Sequence, residues 1–272
     1  MNGRKELKLI EWIELLQSRG AYSFAFESAR RELPGYTEVA LKRALSHLSG
    51  KGKIISVYKG YYLILPPQYA RRGILPPPLF LDDFFQFLRR PYYVSLLNAA
   101  AFHGASHQQP QEYFVMTGFP AMRATRKRGL KINYVSVETI PSVLLEKRKT
   151  EAGYLFISNP VLTATDLIQY ERRIGGINRA ANVLNELMDV LKPSDFSDDV
   201  IRHANLTTLQ RLGYLLEFSC SNSELSDALF TKLKQTKLRF FRIPLKASIQ
   251  TRGFSSGNRW KVIVNTDIDL DL

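Results

Sequence analysis

Residues with the chemistry to react or to bind fall into a few sets along this 272-residue chain. His103 and His107 stand four apart, a spacing that metal sites use on a helix. Gly104 and Gln108-Gln109-Pro110 interrupt the helix that would align them, and no cysteine or carboxylate adjoins them. Gly253-Phe254-Ser255-Ser256-Gly257 fits the G-x-S-x-G of a nucleophile elbow. An elbow needs a buried strand before it and a helix after it; here Thr251-Arg252 precede and a strand-like RWKVIV follows, which makes it a loop. Asp267, Asp269 and Asp271 alternate as two-metal carboxylates can, on a terminal strand that would face water. Gly175-Gly176 lies between helices, and no Walker loop, Rossmann fingerprint or Gly-Ser turn with a close aspartate pair is present. The residues therefore predict a protein that is not an enzyme and uses no cofactor or metal. The alternative is a metal-dependent nucleic-acid-processing enzyme built on the C-terminal aspartates.

Cations form the richer set. A net charge of +13 and a pI near 9.8 call for an anionic partner. Residues 1–75 hold 13 Lys/Arg against 6 Asp/Glu, and the rest of the chain 25 against 19, so the excess is concentrated near the start. Within Thr37–Lys51, Leu41, Leu45 and Leu48 recur at the helical period, with Val39, Ala40 and Ala44 read beside them. The opposite face presents Lys42, Arg43, Ser46, His47 and Lys51, and Thr37 suits the N-cap. Ile54–Tyr58 and Tyr61–Leu65 then flank Lys59-Gly60, a hairpin signal with glycine where positive φ is needed. A basic helix followed by a β wing is the layout of a winged helix-turn-helix. It would turn Lys42, Arg43, Ser46 and His47 toward a major groove, with Tyr58, Lys59 and Tyr61 on phosphate or in the minor groove. Arg71-Arg72 read either as a further contact or as a solvated linker pair. A second cluster, Arg123, Arg126, Lys127 and Arg128 with Lys131 nearby, reads either as a solvated loop or as an extension of that phosphate-binding surface or a face for an acidic partner. Arg172 and Arg173 carry the same two readings.

The elements that would position these residues sort into an α+β protein: an N-terminal winged helix-turn-helix and a larger mixed α+β domain. A helix over 4–19, a short strand at Tyr22–Phe24, a helix over Phe26–Leu33, the Pro34-Gly35 turn, the basic helix and the hairpin make a small domain, residues 1–66. The stretch 67–79 breaks regular structure with repeated prolines and reads as a linker. In 80–272 the pattern predicts a buried helix over Tyr92–His103, strands at Glu112–Thr117, Lys131–Val137 and Gly153–Ile157, then a helical block. Leu238–Ile243 and Trp260–Asn265 are expected as closing strands. One cysteine, Cys220, excludes an internal disulfide. No apolar run approaches the roughly 20 residues that span a bilayer, and the charged N-terminus is unlike a signal peptide, so a cytoplasmic protein with no membrane partner is expected.

The segments YYVSLLNAAAFHGASHQQPQEYFVMT, TATDLIQYERRIGGINRAANVLNEL, RLGYLLEF and RWKVIVNTDID resemble the AbiEi family, antitoxins of bacterial type IV toxin–antitoxin and phage-exclusion (abortive infection) systems. The resemblance spans about residues 5–270 and rests on core-forming segments. It implies a winged helix that represses its own promoter, at repeated or inverted sites on double-stranded DNA, and a C-terminal antitoxin domain. The implied partner is a nucleotidyltransferase-like toxin, opposed without a necessary stable complex.

Overall fold

Leu9, Trp12 and Ile13 sit one helical turn apart and are all buried, which fixes the inward face of α1 (Leu9–Ser18). The computed structural model describes residues 7–70, 73, 75–105, 110–236 and 238–270. The first residues of the expected N-terminal helix, Arg71-Arg72, His107 and Asp271 lie outside the described residues. After α1 come β1 (Ser23–Ala25), α2 (Phe26–Glu32), α3 (Glu38–Gly50), β2 (Ile54–Tyr58) and β3 (Tyr61–Ile64). The three strands form a sheet in the order β1-β3-β2, antiparallel throughout. Leu41 and Leu45 of α3 join Leu9, Trp12, Phe24, Ala29, Leu33 and Ile54 in one apolar core. Helix, strand, helix, helix and hairpin is the order expected of the N-terminal region.

Proline does not leave 67–79 bare. It holds α4 (Pro67–Ala70) and a 3-10 turn at Pro77–Leu79, with Leu75 and Leu79 buried. Next follow α5 (Leu81–Leu88), β4 (Tyr92–Val94), α6 (Leu96–Phe102), β5 (Tyr113–Thr117), β6 (Thr125–Lys127), β7 (Leu130–Ser136), β8 (Leu145–Thr150) and β9 (Gly153–Ser158). The single helix expected over Tyr92–His103 is thus a strand, a break and a shorter helix. Aromatic and β-branched Tyr92-Tyr93-Val94 are buried throughout, which suits a central strand, and Ser95 is extended before Leu96 turns at φ 56°. A six-stranded sheet runs β6-β7-β5-β4-β9-β8, with β5 parallel to β7 and β6 antiparallel to it.

By backbone proximity the chain divides into two units, Met1–Tyr93, Gln111–Ile140 and Lys147–Phe156 against Val94–Pro110, Pro141–Glu146 and Ile157–Leu272. All six strands of the larger sheet have residues in the first unit, together with the helix-and-hairpin region. The second unit is mostly helical: α6, α7 (Pro160–Gln169), α8 (Ile177–Leu187), α9 (Asp198–His203), α10 (Leu206–Tyr214), a π turn at Leu215–Ser219 and α11 (Ser223–Lys234). The expected closing strands shrink to a two-residue parallel pair, β10 (Ile243–Pro244) and β11 (Val262–Ile263). Trp260 is fully buried, and a Cβ at Gly213 would lie 2.2 Å from its ring. Only glycine lets α10 come that close, which is why RLGYLLEF carries one.

Candidate nucleic-acid interface

Helix α3 begins where Thr37 Oγ1 accepts the Ala40 N–H at 3.2 Å, a cap that supplies about 1 kcal/mol. Its buried stripe holds the helix to the core and leaves Lys42, Arg43, Ser46, His47 and Lys51 exposed. These cations are not equivalent. Lys42 pairs with Glu38 and lies 5.6 Å from the centroid of the Phe26 ring, so it is tethered along its own helix. The Lys42 hydrogen bond in turn holds the Glu38 carboxyl below the usual carboxylate range. Arg43, His47 and Lys51 make no ion pair among the described residues. Val39 was expected on the apolar face; it is 60% exposed. It precedes Leu41 by two residues, about 200° around the helix, so the signal for its outward position was in the spacing. An exposed aliphatic group beside Arg43 is suited to a thymine methyl.

The wing is short and drawn inward. Gly60 takes φ 74°, and its carbonyl accepts the Phe26 N–H at 2.8 Å. Lys59 at the tip is exposed. Tyr58 leans edge-on against Phe84 and Phe87, with ring centroids 5.7 and 6.4 Å away. Tyr61 corrects the expectation that it touches nucleic acid: it is 2% exposed, and its hydroxyl donates to Ser23 Oγ at 2.7 Å. Burial pushes the Tyr61 phenol well above its ordinary value. The pairing of β3 with β1 as well as β2 aims this side chain inward.

Only part of the second basic cluster is loop, with Arg123 on irregular chain. Arg126 and Lys127 lie on β6, and Arg128-Gly129 form the turn to β7 at φ 44° and 85°. Two consecutive positive φ values match the twist of a tight hairpin. The turn reaches α3: Arg128 Nη2 donates to the Ser49 carbonyl at 3.4 Å, and Arg128 Nη1 lies 3.4 Å from where a Cβ on Gly52 would be. A guanidinium there complements the C-terminal end of the helix. Arg123, Arg126 and Lys127 are exposed without ion pairs among the described residues, while Lys131 sits 3.5 Å from Glu112. Two cationic segments far apart in sequence thus adjoin within the first unit. Together they offer guanidinium forks and an open helix face to a phosphate backbone.

The sets considered for catalysis do not assemble. Asp267 and Asp269 are exposed on irregular chain, and Ser255 lies on an exposed loop with no helix after it. His103 Nε2 donates to the Ser158 carbonyl at 2.8 Å. A buried polar knot escaped the sequence reading: Ser95 Oγ donates to Asp166 Oδ2 at 2.6 Å, and Ser158 and Thr163 share a hydrogen bond at 2.7 Å. No histidine bridges Ser95 to Asp166, and both are buried, so the knot satisfies polar groups and joins the start of α6 to β9 and α7. Among the described residues no three His, Cys, Asp or Glu side chains gather as a metal site, and no helix is long and apolar enough to cross a membrane.

The fold has a counterpart in the crystal structure of the RV2827C protein from Mycobacterium tuberculosis. The two share 16% identity and a TM-score of 0.67 over 93% of this chain and 89% of that one. No curated protein sequence matches the chain. Residues 93–218, from β4 to the π turn and including the Ser95–Asp166 knot and Gly213, match the family model of the AbiEi antitoxin C-terminal domain. Over that stretch the chain is similar to the C-terminal domain of AbiEi antitoxins.

Proposed function

We propose that the protein is a DNA-binding repressor of its own promoter and an antitoxin, acting in the cytoplasm without catalysis. One observation carries the DNA-binding half: Arg43 and His47 stand open on α3 without ion pairs among the described residues, and Arg128 of the basic hairpin meets the C-terminal end of the same helix. Arg43 is the base-reading residue with the best geometry for guanine, and Val39 adds an apolar contact. Lys51, Lys59, Arg123, Arg126 and Lys127 hold phosphates, and the cap at Thr37 sets the helix start. Domains for the two tasks correspond to residues 1–66 and 80–272, joined at 67–79. Inverted repeats in the promoter are the expected operator.

Full-length protein with Lys42→Ala and Arg43→Ala should shift a promoter fragment about 5- to 150-fold less well, since one base-reading arginine contributes about 1–3 kcal/mol. Undiminished binding overturns the reading. The match of residues 93–218 to the AbiEi antitoxin C-terminal domain supports the antitoxin half. The partner is a nucleotidyltransferase-like toxin, whose effect is countered without a stable complex being necessary. Co-expression of the full chain with the product of the adjacent reading frame should restore growth, and persistent toxicity counts against it.

A further inference from the structure

The arginines before Gly175-Gly176 line a cleft of the second unit that DNA binding does not use. Gln169, Tyr170, Glu171, Arg172, Arg173 and Arg211 surround a volume of about 520 Å³, within the roughly 300–1,000 Å³ of small-ligand sites. Three arginines and one glutamate line it. That carboxylate is already balanced. The Glu171 side chain is 8% exposed with Arg172 at 3.8 Å, and its Oε2 lies 3.9 Å from where a Cβ on Gly176 would be. It therefore sits at the N-terminus of α8, whose first turn has no acidic residue of its own.

Arg211 is fixed from behind. Its Nε donates to the Pro244 carbonyl at 3.1 Å, and its other N–H groups have no protein partner among the described residues. Burial lowers the Arg211 pKa, Glu171 opposes that, and Arg172 adds repulsion. Arginine stays charged under such a shift, so the crowding persists until an anion joins it. Arg173 has no ion pair among the described residues. Balancing the C-terminal end of α7 would occupy Arg172 or Arg173, but it does not call for Arg211, which comes from α10. Half-buried Tyr170, whose hydroxyl accepts from Gln169 Nε2 at 3.3 Å, supplies an aromatic wall.

We propose that this cleft binds a small oligophosphate: inorganic pyrophosphate or the phosphate chain of a nucleoside di- or triphosphate. Planar N–H forks match phosphate oxygens in pairs, and several forks favour linked phosphates over a single one. The proposal is independent of DNA binding.

The test is isothermal titration of the full-length protein with sodium pyrophosphate, ATP and GTP in about 150 mM salt, which screens diffuse attraction. Binding should saturate at one site, weaken about tenfold with Arg173→Gln and with Arg211→Lys, and persist with Arg43→Ala. Arg173 is exposed, so its variant keeps the fold; melting curves verify this. Tighter binding of nucleotide than of pyrophosphate would identify a nucleotide as the ligand. Equal binding would identify the phosphate chain alone. The proposal fails if no saturable binding appears at millimolar ligand, or if Arg43→Ala abolishes binding that Arg173→Gln leaves intact.

Discussion

Arg43 and Arg259 show how differently one residue type is used in the two units. Arg259 is engaged at all three nitrogens: Nε lies 2.6 Å from Glu217 Oε2, Nη1 lies 2.6 Å from Asp227 Oδ1, and Nη2 donates to Ser226 Oγ at 3.0 Å. Its guanidinium also lies over Phe230 and Trp260, 4.7 and 5.3 Å from their centroids. Glu217 Oε2 accepts the Trp260 indole N–H at 2.6 Å as well, so the π turn carrying Glu217 clamps both residues. Arg43 has none of these partners and stands in water. A cation whose donors are used within the fold holds structure; one whose donors are left over is available to an external anion.

The contrast predicts opposite phenotypes. The largest effect falls beside the engaged arginine: Gly213→Ala forces a methyl group against fully buried Trp260 and should cost about 3 kcal/mol. Its thermal midpoint, followed by circular dichroism, should drop by several degrees, while promoter binding in the cold persists. Arg259→Gln should cost about 1–2 kcal/mol, since its side chain is 29% exposed and solvent screens part of the ion pairing. It should leave DNA affinity unchanged, whereas Arg43→Ala should reduce affinity and leave the melting curve alone. Equal effects of the two on binding would erase the distinction.

Arg126→Ala and Lys127→Ala should act more weakly and uniformly on all DNA sequences. Each should lower the slope of log affinity against log salt by about one. The smallest effect is on pH dependence. Burial holds His203 below its ordinary value of 6.5, so the native state favours the neutral ring. Its contribution is complete above that value and is lost as pH falls through the folded pKa. Between about pH 7 and pH 5 the wild type should therefore lose more stability than His203→Gln, in denaturant titrations at each pH.

Local patterning was enough to find α3, its cap and the hairpin, because each depends on neighbours within a turn or two. It was also enough to mark Arg126–Arg128 as basic. It was not enough for Tyr61, whose inward aim depends on β1 pairing with β3 as well as β2. Tyr92–Val94 read as helix because apolar residues continue into Leu96–Phe102 without an alternation to separate them. Strand pairing with β9, parallel at Val94 and Ile157, decides it. The Ser95–Asp166 bond likewise joins residues whose proximity no local spacing announces.

What the amino-acid order determined is therefore the inventory: a basic helix with an apolar stripe, a glycine at a hairpin tip, a chain rich enough in apolar residues to bury two cores. What only the tertiary structure decided is which charges are spent. Arg128 meets the end of α3 and Arg259 is locked by Glu217 and Asp227, whereas Arg211 is left lining a cleft with Glu171 and Arg172. Charge–charge and hydrogen-bond energies depend on distance and burial in space, and neither is a property of position along the chain.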